Sequence, residues 1–471
     1  MRRLWAVLMA VGLLSAALSA MPGAQSLPKP EIAAHAFVAT DPGVRKCDPP
    51  DDLACLGAGG PVPGLTDAEL QLWIAGLGAF SDVEGVKDGL GPRFNLDNCL
   101  GCHSQPALGG TSPAVNPQVE MVTKFPGNRL PFFITAYGPT REARIVRDSQ
   151  GNPDGGVAAL FTITGHDDAN GCELTQPDFE TEARRGNLIF RIPTPVFGAG
   201  LIEAVPDQVI LENQTSSSAQ KTLMGIGGRP GRTLTITGGP NRTGNDGTIT
   251  RFGWKAQNKS LDTFSGEAYN VEMGISNEVF PTERDETGSC QFARVPNDAL
   301  GVADTGITLS DVTLFAFMMR THAAPVPVAE FPGASAESIL RGRQVFVDIG
   351  CGLCHTPTLR TGNATIEALR DQPVNLFSDL LLHNMGPRLA DGVLQGVATG
   401  DEFRTAPLWG LGQRIFLLHD GRTKDLIVAI REHRSGHDNG IRKSEANRVV
   451  RQFERLSEPE KQDLLNFLRS L

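Results

Sequence analysis

The feature that most constrains this chain is the five-residue pattern C-x-x-C-H, which occurs twice, at residues 99–103 and 351–355. The two thiols of such a pattern can add across the two vinyl groups of one porphyrin, and the next residue places an imidazole beneath the iron. The sequence therefore predicts two covalently attached haem c groups. The predicted thioether cysteines are Cys99, Cys102, Cys351 and Cys354, and the predicted iron ligands are His103 and His355.

The N-terminus has the pattern of a secretory signal. Arg2 and Arg3 precede an uncharged apolar run at residues 4–18, and small residues follow, with cleavage expected after Ala20 or after Ser26. A membrane anchor is the alternative interpretation, but the run is short for a span. We expect a signal peptide at 1–26, export to the periplasm and no stable membrane insertion.

Composition excludes some classes of partner. The chain has 43 basic and 53 acidic residues, a net charge of −10, with no evident basic stripe. Such a chain gives no support for nucleic-acid binding, and its charge disfavours attachment to anionic lipid. The apolar fraction of 40% is that of a globular protein.

Four cysteines lie outside the two patterns and can pair in three ways. We favour the pairing of Cys47 with Cys55, which closes a short loop, and of Cys172 with Cys290, which would pin the long middle segment. Free thiols are the alternative, which an oxidising compartment disfavours.

Two parts of the chain repeat one order of elements. A capping box at Thr66 opens an amphipathic helix with Gly76 and Phe80 near its end, and the first haem pattern follows. A helix over 335–349, with Gly342 and Phe346 at the same spacing, precedes the second pattern, and a capped helix from Ser457 ends the chain. Such an order is typical of cytochrome c, in which a glycine allows the first and last helices to approach closely.

The predicted fold is therefore mainly α, with two cytochrome c-like domains. Residues from about 107 to 250 are rich in Gly, Thr, Pro and Asn, which predicts an irregular insertion in the first domain, with short β-strands at 233–237 and 248–250. The predicted division is an irregular N-terminal segment at 27–63, a first haem c domain with its insertion at 64–325, and a second haem c domain at 326–471.

The chain also resembles a known family from about residue 60 to its end. The stretches that carry the resemblance are 91–95, 106–110, 191–198, 200–203, 251–256, 379–386, 403–405, 407–409 and 419–422. The family is that of the dihaem oxidoreductases described as putative peroxidases, some of them labelled thiol oxidoreductases, which are distant relatives of the dihaem cytochrome c peroxidases. Ala406 departs from the family, which usually has proline there.

The resemblance implies a peroxidase-like oxidoreductase. One haem would react with peroxide or another small oxidant, and the other would exchange electrons with a small donor protein such as a cytochrome or cupredoxin. The related peroxidases hold a calcium ion between their domains, but nothing in this sequence identifies its ligands.

The predicted sixth ligand of the second haem is Met385, because a thioether opposite histidine raises the reduction potential and suits an electron-storing haem. The resemblance supports this position, and His383 and His419 are the alternatives. The first haem has no evident sixth ligand, which would leave room for peroxide. Candidates for that position are His166, His322, Met318 and Met319.

Glu272 is the predicted catalytic residue, because its segment resembles the stretch that supplies the distal glutamate of dihaem peroxidases. A carboxyl group in a dry pocket can take a proton from one peroxide oxygen and return it to the other. Glu203 is a candidate second acid, and Trp254 is either an electron relay or a core residue.

Two other functions compete with this interpretation. A dihaem electron-transfer cytochrome without chemistry at iron would have two six-coordinate haems. A thiol–disulfide enzyme would need free thiols, and thioether formation would consume those of both patterns.

Overall fold

The computed structural model of the chain describes residues 37–47, 57–235, 237, 239–241, 248–282, 287–293, 299–302, 306–438 and 440–471. The chain divides into two compact units, Met1–Phe37 and Val38–Leu471. The first unit contains one described residue, so the fold given below is that of the second. The predicted signal peptide and Cys55 lie outside the described residues.

Helices are the commonest regular structure of the described part, although most of its residues lie in neither helices nor strands. Its α-helices are α1 Asp67–Ser81, α2 Cys99–Cys102, α3 Met121–Lys124, α4 Phe179–Arg184, α5 Ala199–Glu203, α6 Asp207–Thr215, α7 Ser218–Met224, α8 Leu261–Met273, α9 Asp311–Thr321, α10 Ala336–Asp348, α11 Leu426–Glu432, α12 Asn447–Arg455 and α13 Glu458–Ser470. None of the helices in these ranges has both the length and the apolar character that a membrane crossing needs. The predicted capping boxes at Thr66 and Ser457 are present, at the starts of α1 and α13.

The strands are short and form small antiparallel sheets. They are β1 Arg93–Phe94, β2 Glu142–Ile145, β3 Val157–Ala158, β4 Phe161–Thr162, β5 Leu188–Arg191, β6 Gly231–Arg232, β7 Ile249–Thr250, β8 Ala299–Val302, β9 Ile307–Ser310, β10 Leu359–Arg360, β11 Pro373–Val374, β12 Leu382–Asn384 and β13 Glu402–Arg404. The largest sheet has the order β3-β2-β5, and the others are pairs.

None of the described residues of the predicted strand at 233–237 lies in a strand. The strand ends at Arg232 and pairs with Ile249, and Leu234 makes a single bridge to Pro240 instead. The β-branched residues there were a weak signal, because β propensity depends on a partner strand. The prediction of a strand at 248–250 is confirmed by β7.

Two close helix crossings organise the described fold. A Cβ atom added at Gly76 in α1 would lie 2.4 Å from the carbonyl oxygen of Leu314 in α9. A Cβ atom at Gly342 in α10 would lie 1.9 Å from the carbonyl oxygen of Asp463 in α13. Backbone meets backbone at both crossings, as the repeated glycine spacing predicted, and only glycine fits there.

The buried apolar residues form two main clusters. The larger one includes Trp73, Phe94, Leu314 and Trp409, and the smaller one includes Phe346, Phe453, Leu465 and Phe467. Each cluster contains one of the two helix crossings. The division into two haem domains stays a prediction.

The prediction of a disulfide between Cys172 and Cys290 is confirmed. Cys47 is also disulfide-bonded. Cys99, Cys102, Cys351 and Cys354 are free, as residues reserved for another bond would be.

Candidate functional site

Each haem pattern folds into one tight helical turn. The side chain of Asn98 accepts a hydrogen bond from the backbone N–H of Gly101, which caps α2, and the N–H of His103 donates to the carbonyl of Cys99. In the second pattern, the N–H of His355 donates to the carbonyl of Cys351 over 2.9 Å. The turn thus brings the thiols and the imidazole of each pattern to the wall of one cavity.

Both motif histidines are held in the same way. Nδ1 of His103 lies 3.0 Å from the carbonyl oxygen of Gly110, and Nδ1 of His355 lies 3.0 Å from that of Phe377. Burial lowers the pKa of each ring to about 4, so both imidazoles are neutral at pH 7. With Nδ1 donating to a carbonyl, Nε2 carries the lone pair that an iron would need.

The wall of the first cavity contains several polar and charged side chains among its apolar ones. Besides Cys99, Cys102 and His103, its wall includes Asn95, Glu142, Arg144, Arg191, Trp254, Glu267, Glu272 and Met319. No histidine other than His103 lines it in the described part of the chain. The cavity wall thus offers carboxyl and amide groups, the phenol of Tyr269 and the thioethers of Met273 and Met319, but no second imidazole among the described residues.

Glu272 lies in this cavity, and a second carboxyl group that sequence reasoning missed lies beside it. The side chain of Glu272 hydrogen-bonds to that of Glu142, which comes from β2. Two carboxyl groups can bond to each other only if they share a proton. Arg144 binds both oxygens of Glu142, at 2.6 and 3.2 Å, and Nδ2 of Asn95 donates to Glu272 over 2.9 Å.

The two carboxyl groups have pKa values that move apart. Burial and the neighbouring Glu142 raise the pKa of Glu272 well above its ordinary value. Burial opposes ionisation of Glu142 too, but Arg144, the hydrogen bond with Glu272 and the charge of Arg191 together outweigh burial and lower the pKa of Glu142. The shared proton therefore resides on Glu272, next to the ionised Glu142.

The second cavity is more apolar and is lined by several histidines. Cys351, Cys354 and His355 share its wall with His383, Met385, His419 and His433. Met385, the predicted sixth ligand, is therefore in the same cavity as the motif it would serve. The sequence alternatives His383 and His419 are there as well.

His383 has no nitrogen left for an iron. Nε2 lies 2.9 Å from Asp379, and Nδ1 lies 2.8 Å from Glu445. His419 stacks on Phe403 with ring centroids 4.5 Å apart, in a mostly aromatic setting. Its burial lowers the pKa of the ring to about 4.

His433 is a further candidate that sequence reasoning missed. Its Nδ1 lies 2.7 Å from the carbonyl oxygen of Ala429, so Nε2 is free, as in His103 and His355. The ring lies at the C-terminal end of α11 and is near enough to His355 to lower its pKa. No spacing in the sequence signals this residue, because only the fold brings it to the cavity.

Two buried arginines in the second cavity bear on whether a haem fits. Arg414 makes no side-chain hydrogen bond or ion pair among the described residues, and Arg404 bonds only to the carbonyls of Gly253 and Thr405. Burial lowers the pKa of each guanidinium to about 10. A cavity with an apolar wall and two cations without carboxylate partners suits a flat apolar ring with two propionates. In the first cavity, Nε of Arg141 is likewise buried without a partner.

The motif thiols also fit haem attachment better than thiol chemistry. Burial raises the pKa of Cys99 and of Cys351 to about 12. Redox-active thiols have a pKa below the ordinary value, because the thiolate is the nucleophile. The residues present therefore fit two haem c groups and disfavour a thiol–disulfide enzyme.

Trp254 lies between the two sites, because its side chain lines both cavities. Its Nε1 donates to the carbonyl oxygen of Ile192 over 2.9 Å, and its ring packs edge-on against His419. Trp254 thus belongs to the wall that the two cavities share, which is compatible both with an electron relay and with a core residue.

Other candidates lie elsewhere. His166 stacks on Phe125, and His322 stacks against Trp73 and Phe197 with Nε2 bonded to the carbonyl of Leu108. Of the two methionines proposed for the first haem, Met319 lines the first cavity and Met318 does not. Glu203 accepts the N–H of Leu261 and pairs with Arg320 over 2.6 Å.

One group of potential metal ligands exists among the described residues, formed by Cys354, Asp379 and His383. Calcium binds oxygen ligands, and this group offers a thiol and an imidazole already bonded to carboxylates. The calcium ion of the related peroxidases therefore remains only an expectation.

The chain matches one protein family and is similar to two solved structures. The family described as "Di-haem oxidoreductase, putative peroxidase" matches residues 159–471. Hydrazine synthase of Kuenenia stuttgartiensis is similar with 18% identity and a TM-score of 0.23, over 36% of this chain and 59% of that one, so this chain spans less than two thirds of that relative. A MauG-like protein associated with microbial copper homeostasis is similar with 16% identity and a TM-score of 0.28, over 59% and 90% of the two chains. TM-scores this low do not establish a shared fold. No curated protein is significantly similar to the chain.

Proposed function

Since the chain belongs to the di-haem oxidoreductase family, we propose that it is an exported dihaem c-type cytochrome with peroxidase-like activity. Cys99, Cys102 and His103 would hold the first haem, and Cys351, Cys354 and His355 the second. The haems, when bound, supply the electrons that cleave the O–O bond, so that peroxide, two electrons and two protons give two waters.

The observation that carries the proposal is the carboxyl pair of Glu272 and Glu142 in a cavity with one histidine. A pair with one proton can accept a second proton from the near oxygen of peroxide and donate one to the far oxygen. Arg144 keeps Glu142 ionised, so the pair always has an oxygen that can accept. A cytochrome limited to electron transfer has no use for such a pair in the cavity that would hold its haem.

The second cavity suits electron exchange. Met385 and His433 both line it, and either would complete the coordination of its haem, which would leave no position for peroxide. Trp254 would carry electrons between the sites, since it forms the wall that they share. The electron source would be a small carrier protein.

The test is spectroscopic. Absorption and EPR spectra of the purified holoprotein, oxidised and half-reduced, should show one high-spin haem that reacts with hydrogen peroxide and one low-spin haem. In Glu272→Gln, the rate of the peroxide reaction should fall roughly 100-fold or more, with both haems still attached. Glu267→Gln is the matched control, because Glu267 is on the same helix and cavity wall but bonds to Gln257 and Asn258.

Two low-spin haems that ignore peroxide in both redox states would refute the proposal and leave an electron-transfer cytochrome. Export is tested separately, by locating the mature chain and sequencing its N-terminus. A chain retained in the cytoplasm without thioethers would refute that part.

A further inference from the structure

One segment near the C-terminus, residues 431–455, contributes several side chains to the wall of the second cavity. His433, Glu445, Ala446, Val449, Val450 and Phe453 line the cavity from this segment. In α12, Val450 and Phe453 are buried, whereas Arg448, Arg451 and Arg455 are exposed. Their spacings of three and four place the arginines on one face of the helix. The same helix thus covers the haem cavity with one side and faces solvent with the other.

The solvent side of this segment is basic. Residues 431–455 contain seven Lys or Arg against four Asp or Glu, although the whole chain has a net charge of −10. The seven cations are all exposed, and they are Arg431, Arg434, Arg442, Lys443, Arg448, Arg451 and Arg455. We refer to this surface as the basic face. The basic face is positively charged although the whole chain is negatively charged, so the overall composition does not reveal it.

Most of the positive charge on the basic face is not neutralised. Arg431 pairs with Glu454, and Arg442 lies near Glu402. The remaining five cations make no ion pair within the described residues. Two of the four acids of the segment bond outside the basic face: Glu432 to Arg388 and Arg422, and Glu445 to His383. Glu454 pairs with Arg431 of the face itself. Asp438 is the remaining exposed acid.

We propose that the basic face docks an acidic one-electron carrier protein, which passes its electrons to the second haem. The inference rests on the proposed function, in which that haem exchanges electrons. A carrier on this face would be separated from the cavity by a single helix, about 10 Å across. One electron passes from the reduced metal of the carrier to the ferric iron, and no bond or proton is exchanged.

Charge argues for this partner and this face together. An acidic carrier is repelled by a chain of net charge −10 everywhere except where the local potential is positive. Complementary patches of this kind raise association rates by about 10- to 1000-fold at low salt. The rest of the surface therefore steers the carrier toward the haem that can accept its electron.

The experiment uses the holoprotein without peroxide. A reduced acidic cupredoxin is mixed with the oxidised protein, and reduction of the second haem is followed by stopped flow at several salt concentrations. We expect a rate that falls steeply with salt, and a much slower rate with a basic cytochrome c. The variant Arg448→Glu, Arg451→Glu, Arg455→Glu should lose roughly tenfold or more in rate with the acidic carrier and most of the salt dependence.

The control variant is Arg147→Glu, Arg184→Glu, Arg185→Glu. It makes the same charge change at three exposed residues that line neither cavity, and it should reduce the rate far less. Direct binding of the oxidised cupredoxin, measured by calorimetry, should weaken in the first variant only. Equal losses in the two variants, or none in either, would overturn the inference.

Two further results separate the alternatives. If the native protein cosediments with vesicles of anionic phospholipid, and the first variant loses this while keeping its rate with the carrier, the basic face binds lipid and the inference is overturned. If the basic face governs carrier reduction but neither haem reacts with peroxide, the docking inference stands and the peroxidase-like function fails.

Discussion

The carboxyl groups of Glu142 and Glu272 hydrogen-bond to each other in the first cavity, although one belongs to a strand and the other to a helix far along the chain. The contact joins the irregular insertion to the helical part of the described fold. Its chemistry depends on a single shared proton.

This pair predicts how the peroxide reaction depends on pH. As pH rises through the raised pKa of Glu272, the pair loses its proton and can no longer donate, so the rate should fall. In Glu142→Gln the negative neighbour is gone, the pKa of Glu272 drops, and the alkaline fall should move down by about one pH unit or more. Stopped-flow rates across the pH range measure this. An unchanged profile would mean that the two groups are not coupled.

A second prediction concerns the low-spin haem. Of Met385 and His433, we expect His433 to bind the iron, because its Nδ1 is fixed by the carbonyl of Ala429 as the motif histidines are fixed. His433→Ala should convert the second haem to a high-spin spectrum, and Met385→Ala should leave its low-spin EPR signal. If Met385→Ala instead gives the high-spin spectrum and His433→Ala keeps the low-spin signal, Met385 is the ligand, as the sequence predicted.

The helix crossings give a prediction about stability. Gly342→Ala places a methyl group against the carbonyl of Asp463, so the free energy of unfolding should fall by about 3 kcal/mol. Gly78→Ala is the control, since Gly78 lies exposed in α1 with nothing within 4 Å of the added atom. It should stabilise by about 0.5–1 kcal/mol. Thermal unfolding of the holoproteins measures both, and similar Tm values would contradict the crossing.

Glu402 predicts a loss of stability in acid. Burial would raise its pKa, but the hydrogen bonds from Arg229 and Thr399 and the charge of Arg229 together outweigh burial and lower the pKa to about 2 from an ordinary 4.5. Because the folded-state value is the lower one, the stabilisation is complete above pH 4.5 and is lost as pH falls toward 2. After a discount for the half-exposed Arg229, its size is about 2 kcal/mol.

The measurement for Glu402 is denaturant unfolding at several pH values. Glu402→Gln should be less stable than the native protein at neutral pH, and the difference should shrink in acid. A difference that stays constant across this pH range would show that the ion pair contributes nothing.

Local signals in the sequence predicted local structure well. The capping boxes at Thr66 and Ser457 are present, and Gly342 and Phe346 are both buried on α10. Each of these features depends on only a few neighbouring residues. A strand needs a partner strand. No strand forms in the described residues of 233–237, because β7 pairs with Gly231 and Arg232 instead.

Site residues were predictable where a sequence pattern or the family resemblance points to them, as for Glu272 and Met385, which line the first and second cavities. The C-x-x-C-H patterns define the cysteines and imidazoles without any knowledge of the fold. Glu142 and His433 have no such pattern, because each reaches its cavity from a distant element. Glu203, the candidate second acid, pairs with Arg320 and does not line the first cavity.

The disulfide between Cys172 and Cys290 also has a consequence for how the protein is made. In an exported chain, the same compartment must oxidise these two thiols and keep Cys99, Cys102, Cys351 and Cys354 reduced until each meets a porphyrin. The loop closed by the disulfide lies between the two haem patterns and contains none of their cysteines. Oxidation of this pair therefore traps no haem-binding thiol within the closed loop, and cross-linking and haem attachment can occur in either order.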